Sequence, residues 1–413
     1  MEETTADTVV SLPEDVVRQI LVRVGDAVAL FRCSAACRQW RHLIADASFL
    51  GRLAPSSLTG FFLAKRLAHA STTSLVSSPW SGFGPGHRFL HTFFPGAEGS
   101  LLNHAVPVAA RGGLLLVRLD TRGARVLRLA MCNLFTGAWD VLPLLDCNWN
   151  FHESGYAIIT GEDYSWGGEE EPLPSPGYSA FFKVMIIAYG NLHTFSSFKS
   201  SWNASRPIIY LPVLNGIHWP LRHPIAVVTH GMAHWLAWCS AFDVDGLCAI
   251  DVDLKTCHVS LTKIAIPREY IVPRETHDRP QLSVTAGGTL LLLHLQRPGL
   301  RLDIWTQQDD GGSDDGGRWL CTPHVELKLP EQHADINTGL VYLSFLGQNS
   351  GSGTLFLKDN CGYVYTVDLE NKVVEELMEM DMDYERINCQ EVVPFQLDWK
   401  RFLISRPHSR QQT

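Results

Sequence analysis

Apolar positions follow two different periods along this 413-residue chain, and the change of period marks its organisation. In SLPEDVVRQILVRV, residues 11–24, Val16, Val17, Ile20, Leu21 and Val24 recur at i, i+1, i+4, i+5 and i+8. At about 100° per residue they form one broad stripe, which predicts an amphipathic helix and not a strand. Ser11 and Glu14 have the spacing of a capping box, and Pro13 falls in the first turn, where a missing N–H does no harm. Val22 leaves the stripe and points with Asp15 and Arg18 to the opposite side. An apolar residue on the wet face of a short helix has no role in the core, so it raises the question of a partner.

Helical spacing continues to about residue 55. Gly25 ends the first helix, Asp26 caps a second through Ala27–Ala35, and a third carries Ala36, Cys37, Trp40, Leu43 and Ile44 on one side. Three short helices in about 45 residues are too little material to bury a stable core alone. Such a module leans on a neighbouring domain, on a partner, or on both.

From about Leu58 the period becomes that of strands. GGLLLVRL from Gly112, the turn Asp120–Gly123, ARVLRLAMCN and AWDVL read as a meander of β-rich runs. SVTAGGTLLLLHL-QRPG-LRLDIWTQ and SGTLFLKDNCGYVYTVDLENKVVEEL share that layout. A weak repeat shows at the turn before an outer strand: NLFTGAW from Asn133, SSFKSSW from Ser196, DLKTCHV from Asp253 and DLENKVV from Asp368. The starts lie 63, 57 and 115 residues apart, and the last interval leaves room for a further unit around Ile304-Trp305. Repeats of about 40–50 residues, each a four-stranded meander, are the pattern of a β-propeller, with inserted loops lengthening the interval here. Two acidic loops of that kind are Gly161–Gly177 and Gln307–Gly317. The expected architecture is therefore mainly β with a small N-terminal α module, a propeller of about six blades (five to seven). Residues 1–10 are expected to be disordered, 11–55 helical, 58–403 propeller, and 404–413 a flexible tail.

Composition narrows the function. A formal charge of −9, with no lysine-rich run, speaks against a nucleic-acid surface. MEETTADTVV has neither the basic start nor the apolar run of a signal peptide, and no stretch reaches the roughly 20 apolar residues that span a bilayer. The ten cysteines are scattered singly, with no C-x-x-C pair, and read as small buried hydrophobes in a reducing compartment. The sequon Asn203-Ala204-Ser205 is then silent, and cytosol or nucleus follows.

Candidate chemistry is sparse. His230 and His234 have the i, i+4 spacing of zinc ligands on a helix, but Gly231 breaks any helix there and no glutamate supplies a general base. His234-Trp235 is expected to open a strand after a turn at Gly231. The run Asp309–Asp315 is oxygen-rich in the manner of a calcium loop but lacks a closing glutamate, and reads as a solvated hairpin. No G-x-S-x-G elbow, P-loop or dinucleotide fingerprint occurs. The expectation is no metal, no cofactor and no catalytic residue. Trp139, Trp202, Trp235, Trp238, Trp305 and Trp319 fall at strand positions and are assigned to packing between blades. Trp149, Trp166 and Trp219 fall in loops and are the candidate substrate contacts.

Leu12-Pro13-Glu14-Asp15, Ile20-Leu21, Arg32-Cys33, Cys37-Arg38-Gln39-Trp40-Arg41 and Leu43-Ile44 through Phe49-Leu50 resemble an F-box, in order and spacing. Gly25-Asp26 replaces a common Leu-Pro turn, and Cys33 stands where Val is usual. CNLFTGAWDVLPLL, THGMAHWLAW and LDIWTQQDDGG resemble the F-box-associated β-propeller domains of plant F-box proteins, especially the large cereal families. The resemblance implies a substrate receptor of a Skp–cullin–F-box ubiquitin ligase. Leu12, Pro13, Val16, Ile20, Leu30 and Trp40 would contact the Skp-type adaptor or support that contact. The propeller loops would hold a target protein. Two alternatives remain open at this stage: a propeller whose channel binds a small ligand or catalyses a reaction, and an adaptor-binding scaffold without a ligase.

Overall fold

Strands that are apolar on both faces need a neighbour on each side, and the fold supplies one. A computed structural model describes residues 12–24, 29–30, 33–34, 38–46, 49, 58–66, 71–77, 86–90, 102, 105–119, 126–134, 137–146, 154–164, 181–188, 190–208, 221, 225–241, 244–264, 266–267, 280–285, 287–296, 301–308, 318–321, 324–326, 344–348, 354–358, 363–368, 373–379 and 392–397. Helices α1 (Glu14–Val22) and α2 (Arg38–Ala45) lie at the N-terminal end, and antiparallel sheets make up the rest.

Five four-stranded meanders follow one another in the chain. Blade II begins at Ala105–Arg111, blade III at Gly155–Thr160, blade IV at Val227–Thr229, blade V at Gln281–Val284 and blade VI at Ser344–Gln348. The remaining sheet, blade I, is composite: Val392–Leu397 pairs with Leu58–Arg66, followed by Ser71–Ser77 and Gly86–Phe89. So five blades, not six, are continuous in sequence, and the last sheet is closed from both ends of the domain. Inner strands of neighbouring sheets meet from blade I through blade V, and Val392–Leu397 meets both Ser344–Gln348 and Ala105–Arg111. Pro394 and Pro107 both occupy these inner edge strands, where a missing ladder donor is tolerated.

The side-chain alternation sorts residues between neighbours. Leu114 and Leu116 face blade III, while Leu115, Val117 and Leu119 join the cluster that contains blade I. Met185 and Ile187 pack toward blade IV, and Val184 and Ile186 toward blade II. Leu290 and Leu292 meet blade IV, and Leu291 and Leu293 meet blade VI. Trp235 packs between blades III and IV, Trp305 and Trp319 between IV and V, and Trp202 and Trp139 lie half-buried at the edges of their clusters. The inter-blade assignment holds for these five; the side chain of Trp238 lies outside the described residues. Gly155 is required by this packing, because a Cβ there would stand 2.5 Å from the Trp235 indole nitrogen.

The repeat in the sequence is a recurrent hairpin between the third and fourth strands. Leu134 N–H donates to Gly113 O (3.1 Å) and Gly137 N–H to Asn133 O (3.0 Å). Leu254 N–H donates to Gly231 O and Cys257 N–H to Asp253 O (both 2.9 Å) in the same pattern. In the copies at Asn133, Ser196 and Asp253 the fifth residue is left-handed: Gly137 (φ 71°), Ser200 (φ 49°) and Cys257 (φ 55°). Asp253 sets its copy by accepting from Lys255 N, Thr256 N and Thr256 Oγ1. Burial works to raise the Asp253 carboxyl, but the Thr256 and Lys255 hydrogen bonds and the Lys255 charge outweigh it and hold it below the usual value.

Several expectations are corrected. Helix α1 has no side-chain cap: Pro13, extended at φ −55° and ψ 144°, is itself the N-cap and has no side-chain acceptor. Its carbonyl accepts from Val16 and Val17 N–H instead (both 3.1 Å). The cysteines are not uniformly buried: Cys132 and Cys248 are, Cys33 and Cys257 are half-buried, and Cys321 is exposed. Residues 1–10, 404–413, Ser11, Trp149, Trp166, Trp219, most of both acidic loops and the Asp309–Asp315 run lie outside the described residues.

Candidate protein-docking site

The stripe on α1 is real, but it is divided lengthwise. Val17 and Leu21 are 1% and 0% exposed and join Leu30, Leu43, Ile44 and Phe49 in a core. That core continues into Phe62, Leu115, Val117 and Phe395 of blades I and II. A module too small to bury its own apolar surface thus completes its core on the propeller. On the other edge, Leu12 (45%), Val16 (37%) and Ile20 (39%) stay in water, with Pro13 exposed beside them and Val22 exposed on the far side.

These four aliphatic residues stand within eleven positions of the chain. Elsewhere among the described residues, large exposed hydrophobics are scattered over the blades, at Val141, Leu144, Phe198, Leu320 and Val373. Carrying one large aliphatic side chain from water to full burial is worth about 1.5–3 kcal/mol. Val16 and Ile20, one turn apart on α1, with Leu12 just before the N-cap, are therefore a surface that a partner groove can use.

Polar groups hold the helix in place without covering that row. Glu14 pairs with Arg18 at 3.0 Å one turn on. Arg18 also stands 3.9 Å from Asp46, which follows α2, and Phe49 N–H donates to Asp46 Oδ1 (3.2 Å). Glu14 and Asp15 place negative charge at the positive end of the helix. At the other end, Arg23 N–H donates to Ile20 O (3.0 Å) and Val24 N–H to Leu21 O (3.1 Å), closing the last turn.

The six residues expected at an adaptor contact do not share one environment. Leu12, Pro13, Val16 and Ile20 are exposed along one edge. Leu30, at 2% exposure, is part of the core and cannot touch a partner directly; it supports the buried edge of α1. Trp40 is half-buried against the same core. Val22 was visible in the sequence as an anomaly and is exposed as its phase requires.

Among the described residues the close histidine–carboxylate pair of the blades is His234 with Asp251. His234 Nδ1 lies 2.6 Å from Asp251 Oδ1, and Thr262 Oγ1 donates to Asp251 Oδ2. Both residues share the side of blade IV that carries Leu236 and Ala249 toward blade V, and His234 lies opposite Val227 of the inner strand. Among the described residues Asp251 is the hydrogen-bond partner of the His234 ring, and Thr262 engages the other oxygen of that carboxylate. His230 sits in the turn before that strand (φ 46°) against Gly288 of blade V. Among the described residues no group of three His, Cys, Asp or Glu side chains is placed to hold a metal.

Residues 9–53 match the F-box-like family, and the described strands between Leu58 and Leu397 form the propeller. The chain thus joins an F-box-like segment to a β-propeller. No curated protein sequence matches it. Solved structures similar to it include the β-propeller domain of Myceliophteria thermophila Cps50 (Swd1), at 12% identity and a TM-score of 0.37, covering 76% of this chain and 83% of that one. Another is the extracellular domain of the hybrid two component system BT3049 from B. thetaiotaomicron, at 10% identity and 0.35, covering 79% and 38%. A prolyl endopeptidase matches at 10% identity and 0.33, covering 91% and 55%. The chain spans less than two thirds of the last two. No described helix is long and apolar enough to cross a membrane.

Proposed function

We propose that this chain is the substrate receptor of a Skp–cullin–F-box ubiquitin ligase, of the kind found in plants, acting in the cytoplasm or nucleus. The observation that carries the reading is the uncovered row Leu12, Val16 and Ile20, on a segment that matches the F-box-like family. The Skp-type adaptor docks on that row and on Pro13, while Leu30 and Trp40 stiffen it from behind. A cullin joins through the adaptor. A target protein is held by the propeller loops, with Trp149, Trp166 and Trp219 as the aromatic contacts.

In this reading the chain performs no bond chemistry and needs no cofactor. Its contribution is positional: a lysine of the bound target is kept near the ubiquitin-charged enzyme, which raises its effective concentration. The shared core of the helical module with blades I and II suits that task, because the adaptor and the target are then held at a fixed offset.

Co-purification of the full chain with a Skp-type adaptor and a cullin tests the proposal. Wild type retains both, and Leu12→Ala/Pro13→Ala loses both together. A folded wild type that captures neither sinks it.

A further inference from the structure

Blade III grips the hairpin 253–258 of blade IV through three donors. Arg206 donates to Thr256 O (3.0 Å), Tyr164 OH to Leu254 O (3.4 Å), and Lys183 Nζ to Leu254 O (2.9 Å). The same Lys183 nitrogen lies 3.1 Å from Cys257 Sγ. Lys183 is only 8% exposed, and among the described residues it has no carboxylate within ion-pair distance. The two nearby acids are already engaged: Asp253 with its own turn, and Asp163 with Arg111 and Thr160. A buried ammonium needs partners, and among the described residues those in reach are the Leu254 carbonyl and the Cys257 sulfur.

Cys257 is also an unusual choice for its position. The matching hairpin residues are Gly137 and Ser200, and all three are left-handed. A side chain larger than glycine's is disfavoured in that conformation. Here the left-handed backbone places a thiol beside a buried amine of the blade interface, and strained backbone clusters at functional sites. Cys257 as a residue is half-buried and not sealed in the core.

We propose that Cys257 and Lys183 form a site of reversible oxidative cross-linking between blades III and IV, with a peroxide as oxidant. A sulfur held beside an ammonium is a setting in which a cysteine attacks electrophiles. The Cys257 thiolate attacks hydrogen peroxide: an S–O bond forms, the O–O bond breaks, and the departing hydroxide takes a proton from the Lys183 ammonium. The freed amine attacks the sulfenic acid, forming an N–S bond and expelling the hydroxyl, which leaves as water with an amine proton. Overall Lys–NH3⁺, Cys–S⁻ and one H2O2 give Lys–NH–S–Cys and two H2O; sulfur loses two electrons and the peroxide gains them. Exchange with two thiols restores both side chains and yields a disulfide, as for other sulfenyl adducts. The link ties the second strand of blade III to the outer hairpin of blade IV.

Full-length reduced protein is treated with hydrogen peroxide, alkylated, digested and mapped by mass spectrometry. The expected product is one joined peptide pair containing Lys183 and Cys257, lighter than the sum of its parts by two hydrogens and separated again by dithiothreitol. Cys257 should react several-fold faster than the exposed Cys321 of the same molecule, a comparison that needs no variant. Lys183→Arg keeps a cation beside the sulfur, so dimedone should then trap a Cys257 sulfenic acid with no cross-link. Cys257 reacting no faster than Cys321, or oxidising in wild type without joining Lys183, overturns the proposal.

Discussion

A blade strand and helix α1 carry similar apolar residues and meet different fates. In Leu114–Leu119 every leucine and valine finds a sheet, with Leu114 and Leu116 turned to one neighbour and Leu115 and Val117 to the other. In α1 only Val17 and Leu21 find a core, and Val16 and Ile20, one position before each, do not. Hydrophobicity alone does not separate these cases. What separates them is geometry: a blade is flanked twice around the ring, whereas α1 leans on the rest of the molecule along one edge. The leftover edge is what an intermolecular contact requires.

Deleting the blade side of that comparison should cost most. Trp235→Ala empties a fully buried site between blades III and IV and should destabilise the chain by about 3–5 kcal/mol, read from its denaturant midpoint. On the covered edge of α1, Leu21→Ala should cost about 2–5 kcal/mol, less toward the lower figure if the small module relaxes into the gap. Either variant unfolding at the wild-type midpoint would mean that these faces are not packed as described.

On the uncovered edge the effect should move from stability to binding. Ile20→Asp should stay within about 0.5 kcal/mol of wild-type stability, since surface changes away from special features do. Its affinity for a Skp-type adaptor, measured by calorimetry, should fall by at least about tenfold, or 1.4 kcal/mol.

The smallest effect concerns pH. Burial of His193 lowers its pKa from the ordinary 6.5, so as pH falls through that value the unfolded chain takes up the proton first. Stability attributable to this group is therefore complete above about pH 6.5 and declines as pH drops toward the lowered folded value. His193→Gln should flatten that part of the urea-midpoint profile between about pH 7.5 and about pH 5.5. An unchanged slope would remove His193 as its source.

The sequence carried the parts of this picture that are local. The hairpins at Asn133, Ser196 and Asp253 were readable because each needs a small or strained fifth residue after a fixed count. The amphipathic period of α1 was readable as well, but the division of its stripe was not. Val16 and Val17 differ by one step of about 100°, and the position of α2 and the blades, not the period, decides which is covered. Leu30, expected to contact the adaptor or support that contact, lies in the core behind α1. The capping box failed because Pro13, extended at ψ 144°, starts the helix later than Ser11 would. The closing strand Val392–Leu397 was the least legible element. Its register with Leu58–Arg66, such as Phe61 opposite Pro394, spans nearly the whole domain and leaves no local signal.

The most direct test of the docking surface is a titration of the full chain with a Skp-type adaptor, comparing three folded proteins. These are the wild type, Val16→Asp/Ile20→Asp on α1, and Leu144→Asp/Phe198→Asp, which removes exposed apolar side chains from the blades. The uncovered helix edge predicts that the blade variant binds as the wild type does and that the α1 variant loses at least about tenfold in affinity. An α1 variant that binds like the wild type would contradict it, and the row at Leu12, Val16 and Ile20 would then have no claim to be the docking surface.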